Sequence, residues 1–213
     1  MRSFTIILIL AMTPAVWAQG LTGTKTVGGT SPNYSTLVAA AAALNSAGVG
    51  PGGVTFHIRS GTYSGQVILT VSGTAANPVV FRRDPTLSSS ASITVTASGA
   101  DSVFKLDGAD WVTLDGVLAN RFTIRAPNQD GVKLLASASN NTIRNCTILQ
   151  PHTDLLTHAG IVAEGAVVGT TLDGNVFVVS SSSDLAHCKG MLLPPGSTIT
   201  RNNVSGTGRG ADD

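Results

Sequence analysis

The sequence contains little charge, few aromatic residues and almost no glutamate. Charged residues make up 12% of the 213 residues and aromatic residues 5%, and 13 lysines and arginines face 12 aspartates and glutamates. The resulting formal net charge of +1 excludes a nucleic-acid-binding protein that works through bulk positive charge. Glu164 is the only glutamate. Residues that favour helices are therefore scarce, whereas Val, Ile and Thr, which suit strands, are plentiful.

Long apolar runs are missing beyond Ala18. The apolar run at 4–12 follows Arg2, is interrupted by Pro14, and gives way to a small-residue cleavage site that ends at Ala18. This pattern is typical of a secretory signal peptide, and the run is too short to span a bilayer, which needs about 20 apolar residues. We therefore expect residues 1–18 to be cleaved, and the mature protein to be secreted, periplasmic or at the cell surface and not membrane-spanning.

Cysteine is also rare, with Cys146 and Cys188 as the only two. An oxidising compartment permits a disulfide, but two cysteines do not make a disulfide framework. The two residues also fall at different points of the repeat described below. A bridge and two separate thiols both remain open at this point.

One segment has the pattern of an α-helix. Apolar residues recur at helical spacing from Leu37 to Leu44, Ser35 is suited to cap the start, and Gly48 is suited to end the helix. We predict a helix at about residues 35–46. Beyond it, short runs rich in Val, Ile, Phe and Thr are separated by Gly, Asn and Pro, which indicates strands joined by turns.

An internal repeat with a period of about 28 organises the sequence beyond position 100. Four short apolar segments start at positions 104, 132, 161 and 191, and each is followed by a second one. The first segments are Phe104-Lys105-Leu106, Val132-Lys133-Leu134, Ile161-Val162-Ala163 and Met191-Leu192-Leu193; the second are Val112–Asp115, Asn141–Arg144, Thr170–Asp173 and Ser197–Thr200. Asparagines follow the second segments and suit tight turns.

This spacing leaves few architectures. Parallel strands joined by βαβ units need helical crossovers, and no helical pattern separates these strands. The remaining solution is a solenoid whose coils stack their strands and bury one narrow core. We predict a cap at residues 19–53 and five or six coils at residues 54–205. Leu114, Ile143, Leu172 and Ile199 are predicted to form one buried stack.

Several segments resemble a known superfamily. Tyr34–Leu37, the alanine-rich helix and the segment 54–63 resemble the N-terminal cap of right-handed parallel β-helix proteins of the pectin-lyase-like superfamily, and Asn140–Ile148 looks like its characteristic coil. The segment Ala76–Phe81 is similar to one in secreted bacterial β-helix repeat proteins. The resemblance covers residues 25–205 and implies an all-β, right-handed parallel β-helix with an N-terminal capping helix. It implies no single activity, because this fold hosts lyases, hydrolases, esterases and adhesins.

The catalytic motifs of two enzyme classes of this superfamily, the polygalacturonases and the pectin methylesterases, are missing from the sequence. Of the motifs that resemblance to its pectin methylesterases would require, only the fragment Gln129-Asp130 is present. Resemblance to its polygalacturonases would require an Asp-Asp pair within a coil, whereas the one Asp-Asp pair of this chain is Asp212-Asp213 at the terminus. No catalytic residue can be carried over. We therefore favour a secreted, non-catalytic module that binds polysaccharide, with a polysaccharide-acting lyase or glycoside hydrolase as the alternative. No cofactor is predicted, although a Ca²⁺ or Zn²⁺ site remains open.

Stacking of the coils predicts a charge ladder of Asp115, Arg144 and Asp173. Equivalent positions in adjacent coils lie about 4.8 Å apart, so opposite charges become neighbours. The alternative is that the two aspartates, two coils apart, form a glycosidase carboxylate pair. Arg144 between them would keep both ionised, which disfavours a general acid. We expect the three charges to be solvated and to contribute little to stability.

A second column places Lys105 over Lys133. Two ammonium groups on adjacent strands repel each other. Either the side chains splay into solvent, or they bind an anion such as the uronate groups of an acidic glycan.

A third column is the turn before the first segment of each repeat. Asp154 to His158 and Asp184 to His187 look alike and lie one repeat apart. Stacked along one edge, these residues could act as plain turns, as general acids and bases, or as a Zn²⁺ site.

The last residues, 206–213, contain no capping helix, aromatic plug or charged strand. A solenoid needs a cap at each end because its last coil exposes strand edges and the core. We therefore expect that the chain is truncated, or that it self-associates through an open last coil near Met191–Val204.

Overall fold

The structure is a computed structural model that describes residues 20–118, 121–153, 156–181, 188–207 and 211–212. The predicted signal peptide lies outside the described residues. So do Asp154, Asp184 and His187 of the third predicted column, which together with His158 we call the histidine edge. In the described residues no helix is long and apolar enough to cross a membrane.

The described residues form one strand and one helix, followed by six coils of three strands each. The first two elements are β1 (Leu21–Val27) and α1 (Leu37–Ala47). Coil 1 contains β2 (Val49–Ile58), β3 (Gly61–Ser64) and β4 (Val67–Leu69); coil 2 contains β5 (Val79–Arg83), β6 (Ile93–Thr96) and β7 (Ser102–Asp107); coil 3 contains β8 (Val112–Asp115), β9 (Phe122–Arg125) and β10 (Asp130–Leu135). Coil 4 contains β11 (Thr142–Arg144), β12 (Thr147–His152) and β13 (His158–Ala163); coil 5 contains β14 (Thr171–Asp173), β15 (Val176–Ser181) and β16 (Cys188–Leu192); coil 6 contains β17 (Thr198–Thr200), β18 (Asn203–Thr207) and β19 (Ala211–Asp212).

Each coil contributes one strand to each of three parallel sheets. Sheet A runs β1-β2-β5-β8-β11-β14-β17, sheet B runs β3-β6-β9-β12-β15-β18, and sheet C runs β4-β7-β10-β13-β16-β19. Every strand therefore pairs with the equivalent strand of the neighbouring coil. This topology is a parallel β-helix, so the predicted all-β solenoid with a single N-terminal helix is confirmed for the described part of the chain. Sheet A already starts with β1, inside the region predicted as a cap.

The strand register agrees with the predicted repeat. Ile143 pairs with Leu114 on one side and Leu172 on the other, and all three side chains are buried. The same stack extends back to Phe81 and Phe56, whose rings stack with centroids 4.5 Å apart. Side chains alternate between the core and the surface along each strand, so one residue per coil fills each layer of the core.

The predicted burial of Ile199 is wrong. Ile199 pairs in register with Leu172 but is 51% exposed. Its strand β17 pairs on one side only within the described residues. No further coil of the described chain covers this end of the stack.

The helix is capped by Thr36 and not by Ser35 as predicted. The Thr36 hydroxyl accepts the Ala39 N–H at 3.0 Å from an extended backbone conformation, which is the geometry of an N-cap. The buried helix residues are Leu37, Ala40, Ala41 and Leu44. Asn45 extends this contact to β4, because it donates to the Ile68 carbonyl at 2.9 Å and accepts the Thr70 N–H at 3.0 Å. The helix therefore supplies hydrogen-bond partners for backbone groups at the open edge of β4.

Asparagines fix the turn between sheets A and B, as predicted. Asn145 adopts a left-handed conformation with φ +54° in the turn after β11. Asn175 is fully buried, accepts the Cys146 N–H at 3.0 Å and donates to the Ile143 carbonyl at 2.8 Å. Its amide thus satisfies backbone groups of the preceding coil that the change of direction leaves unpaired.

Cys146 has a free, buried thiol, so it forms no bridge with Cys188. Burial raises the pKa of the Cys146 thiol to about 12, and the charge of Asp115 acts in the same direction. A thiol in this state is a small core residue and not a nucleophile.

Candidate functional site

The predicted charge ladder occupies neighbouring strands of sheet A. Arg144 pairs in register with Asp115 on one side and Asp173 on the other. Arg144 is exposed, and its Nη2 donates to Oδ2 of Asp115 at 2.8 Å. Asp115 itself is only 3% exposed, so the expectation of solvated charges is wrong for this residue. Its carboxylate is drawn inward because it also accepts the Val117 N–H at 2.8 Å, in the turn after β8.

Both aspartates of the ladder have lowered pKa values. Burial raises the pKa of Asp115, but hydrogen bonds from Arg144 and the Val117 N–H, together with the Arg144 charge, outweigh burial. Hydrogen bonds from Arg201 and Thr200 lower the pKa of Asp173 to about 2. A general acid must carry a proton near the working pH. This geometry therefore suits a structural ladder and does not suit a glycosidase carboxylate pair.

Lys105 and Lys133 lie side by side on sheet C as direct partners. They do not splay into solvent. Asp101 bridges them, because its Oδ2 lies 3.1 Å from Lys105 Nζ and 3.9 Å from Lys133 Nζ. Glu164 Oε1 lies 2.9 Å from Lys133 Nζ on the other side. Neighbouring carboxylates thus largely neutralise the positive charge that an anion site at these two lysines would need.

These residues belong to a larger polar group on the outer face of sheet C, which we call the sheet C cluster. Its members are Gln66, Asp101, Lys105, Asp130, Lys133 and Glu164. Gln66 Nε2 donates to Asp101 Oδ1 and, at 3.1 Å, to Ser102 Oγ, which connects coils 1 and 2. Asp130 Oδ1 accepts the Ala159 N–H at 2.7 Å, which connects coils 3 and 4. The cluster therefore spans four coils.

The two aspartates of the cluster have pKa values shifted in opposite directions. Burial raises the pKa of Asp130, and the Ala159 N–H and the Lys133 charge offset this only in part. For Asp101 burial also acts upward, but hydrogen bonds from Gln66 and Lys105 outweigh it and lower the pKa. The residues are close, since the Asp130 N–H donates to the Asp101 carbonyl at 3.1 Å. Carboxyl groups with divergent pKa values are the arrangement that acid–base chemistry uses.

The predicted histidine edge is described only at His158. This residue pairs in register with Cys188, and its ring stacks on that of buried His152 with centroids 4.8 Å apart. Its charge also acts on Asp130. Among the residues that the structure describes, no group of three or more His, Cys, Asp or Glu could hold a metal ion. The role of the complete edge stays a prediction.

An apolar groove adjoins the cluster at its N-terminal end. It has a volume of about 210 Å³ and is lined by Val38, Ala41, Ala42, Asn45, Gln66 and Ile68. Val38 is 39% exposed and Ile68 is 40% exposed, so apolar surface faces solvent on both walls. Gln66 belongs to both the groove and the cluster. A ligand lying across the coils would meet apolar and polar surface in succession.

Asp101, Asp130 and Glu164 were not among the site residues predicted from the sequence. Asp101 and Asp130 lie one repeat apart, each directly before the small residue that opens a repeat unit. That spacing was a usable signal, because equivalent positions of a solenoid become neighbours. Glu164 is harder to find, since Lys133 pairs in register with Val162 and the contact with Glu164 runs diagonally.

Comparison with known proteins finds two solved structures with distant structural similarity to this chain. No protein-family profile matches the chain, and no curated protein matches it. An alginate lyase from Paenibacillus sp. str. FPU-7 aligns at 12% identity over 85% of this chain and 99% of its own, with a TM-score of 0.37. A pectin methylesterase from Aspergillus niger aligns at 13% identity over 89% of this chain and 87% of its own, with a TM-score of 0.36. The strand pairing described above, and not these likenesses, carries the fold assignment.

Proposed function

We propose that this chain is a secreted β-helix module that binds a polysaccharide along the outer face of sheet C without cleaving it. The observation that carries the proposal is the sheet C cluster itself. It presents amide, ammonium and carboxylate groups on adjacent coils, about 4.8 Å apart, beside the apolar groove. Sugar hydroxyls need both donors and acceptors, and the C–H faces of sugar rings need apolar surface.

The charges of the cluster favour a hydroxyl-rich glycan over a polyanion at this face. Three carboxylates face two ammonium groups, and Lys133 is shared between Asp101 and Glu164. Such ion pairs hold the side chains in place, so fewer rotamers have to be immobilised when a ligand binds. A polyanion would instead meet an excess of negative charge.

Affinity electrophoresis tests the proposal directly. The chain is run in gels containing a neutral galactan, a xylan or a galactomannan, and its retardation is compared with that of the double variant Asp101→Ala, Lys105→Ala. We expect at least one neutral glycan to retard the parent chain. The double variant should lose most of this retardation.

The matched control is Thr113→Ala, Thr142→Ala, which removes two outward side chains from the face of sheet A. This control should bind like the parent. Equal mobility of all three proteins in every gel contradicts the proposal. Circular dichroism of each variant excludes unfolding as the cause of lost binding.

A second candidate function, a polysaccharide-acting enzyme, is favoured by one observation. The pKa of Asp130 is raised by burial while that of neighbouring Asp101 is lowered, so one carboxyl could give a proton and the other accept one. Assays for new reducing ends and for unsaturated products, on any glycan that binds, separate the two functions. The enzyme hypothesis expects product from the parent and a loss of at least about 100-fold in Asp130→Asn. The binding-module hypothesis expects no product from either protein.

A further inference from the structure

A second depression lies at the corner between sheets B and C. It has a volume of about 240 Å³ and is lined by Ser64, Gly65, Thr96, Ala97, Ser98, Arg125 and Pro127. Gly65 directly precedes Gln66 of the sheet C cluster in the chain. The depression, which we call the Arg125 pocket, is therefore adjacent to the proposed binding face and distinct from it.

Three polar side chains of this pocket form one column across coils 1 to 3. Ser64 pairs in register with Thr96, and Thr96 with Arg125. The residues before them in each strand are buried in the core, so these three side chains point outward. Two hydroxyl groups and a guanidinium thus follow each other about 4.8 Å apart. Ser98 adds a third hydroxyl.

The charge of Arg125 is not neutralised in the way that the cluster lysines are. Within the described part of the chain, Arg125 takes part in no ion pair, and no acidic residue lines its pocket. A guanidinium presents a planar fork of donors that matches the oxygens of a carboxylate or a sulfate. The hydroxyls around it can donate to the remaining oxygens.

The walls of the pocket are fixed by buried hydrogen bonds. Gln129, which is 1% exposed, donates from Nε2 to the Ala97 carbonyl at 2.8 Å. The Gly65 N–H donates to the Thr96 carbonyl at 2.9 Å, and Gly65 has φ +106°, a conformation that side chains disfavour. The pocket therefore exists before any ligand arrives.

We propose that the Arg125 pocket binds the oxyanion of an acidic substituent, a carboxylate or a sulfate ester, on the glycan whose neutral part lies on sheet C. This inference rests on the proposed function for its ligand, and it names the class of that ligand: a mainly neutral polysaccharide with sparse acidic groups. The acidic group binds to Arg125 and not to the lysines of the cluster.

Affinity electrophoresis with three galactans tests the inference: a neutral one, a sulfated one and a uronate-containing one. The parent chain is compared with Arg125→Gln and with Arg121→Gln, which removes the same charge from the same coil outside the pocket. We expect the parent to bind at least one acidic galactan about 5-fold or more tightly than the neutral one. Arg125→Gln should lose that preference and keep neutral binding, whereas Arg121→Gln should behave like the parent.

The outcomes separate this inference from the proposed function. The oxyanion pocket is overturned if the parent binds neutral and acidic galactans equally, or if both arginine variants lose the preference for acidic galactan equally. Either result leaves the sheet C proposal standing. If no galactan binds at all, NMR titration with sodium glucuronate and sodium sulfate at constant ionic strength decides. Shifts of the Arg125 Nε and Gly65 amide signals in the parent, with the Gly65 shift lost in Arg125→Gln, support the oxyanion pocket. No shifts in the parent, or an equal Gly65 shift in both proteins, overturn it.

Discussion

Arg144 donates to Asp115 at 2.8 Å between adjacent coils, although the two residues are far apart in sequence. The pair joins an exposed guanidinium to a buried carboxylate. The folded pKa of Asp115 lies below its unfolded value. Its ionised form therefore stabilises the fold above the unfolded pKa, and this contribution is lost as the pH falls through the folded pKa.

Asp115→Asn should therefore destabilise the chain at neutral pH. We expect a loss of about 1.5–3 kcal/mol, the range for a hydrogen bond to a charged group. Urea unfolding at pH 7 should show this loss, and repetition near pH 2.5 should show a smaller difference. An equal difference at both pH values contradicts the argument.

Asp130→Asn should have the opposite effect. Because burial raises the pKa of Asp130, its ionised form is disfavoured in the fold, and stability falls as the pH rises from the unfolded to the folded pKa. The asparagine keeps an oxygen for the Ala159 N–H. We expect the variant to be slightly more stable than the parent at pH 7 and equal to it below pH 3, as measured by thermal unfolding. Destabilisation at pH 7 would show that a charged partner stabilises the ionised form of Asp130 by more than burial destabilises it.

Ile143→Asp should unfold several coils. Ile143 lies between Leu114 and Leu172 in the core, where an unpaired charge has no compensating partner. We expect a loss of more than about 4 kcal/mol, which circular dichroism would detect as loss of the strand signal at room temperature. Thr142→Asp is the control, because it places the same charge on the outer face one residue away. Similar melting of the Ile143→Asp variant and the parent would contradict the register.

Arg83 should be needed for the long turn that follows β5. It is 1% exposed and donates to the carbonyls of Leu87, Ser88 and Ala91. Arg83→Met leaves these oxygens without their donor, at a cost of about 1–3 kcal/mol for each group that stays buried. Urea unfolding should show this loss, and Arg125→Met, at an exposed arginine, should change stability little. Cleavage of this turn, residues 84–92, by the broad-specificity protease subtilisin should also accelerate in Arg83→Met alone.

Coil 6 should mediate self-association. Ile199 of coil 6 is 51% exposed, Leu192 at the end of β16 in coil 5 is 50% exposed, and β17 pairs on one side only in the described residues. Exposed strand edges with apolar side chains favour pairing with another copy. Light scattering of the chain from residue 19 onwards should therefore show a mass that rises with concentration, and Ile199→Lys should reduce this rise. A monomer that is independent of dilution contradicts this prediction.

The sequence determined the coil stacking because a solenoid repeats one geometry at a fixed period. Once the repeat aligned Ile143 with Leu114 and Leu172, the core layer and the outward position of Arg144 followed from the alternation of side chains along a strand. The N-cap was missed by one residue, because Ser35 and Thr36 both have capping hydroxyls and only backbone geometry distinguishes them.

The tertiary structure decided which charges meet. Long side chains reach diagonally between coils, so Lys133 pairs with Glu164 as well as Asp101, and Arg201 turns back to Asp173 from a left-handed position. Such contacts depend on turn conformation and rotamer, which a repeat period does not encode. The same holds for the burial of Asp115 and for the unneutralised charge of Arg125, because both depend on which neighbours the folded turns bring within reach.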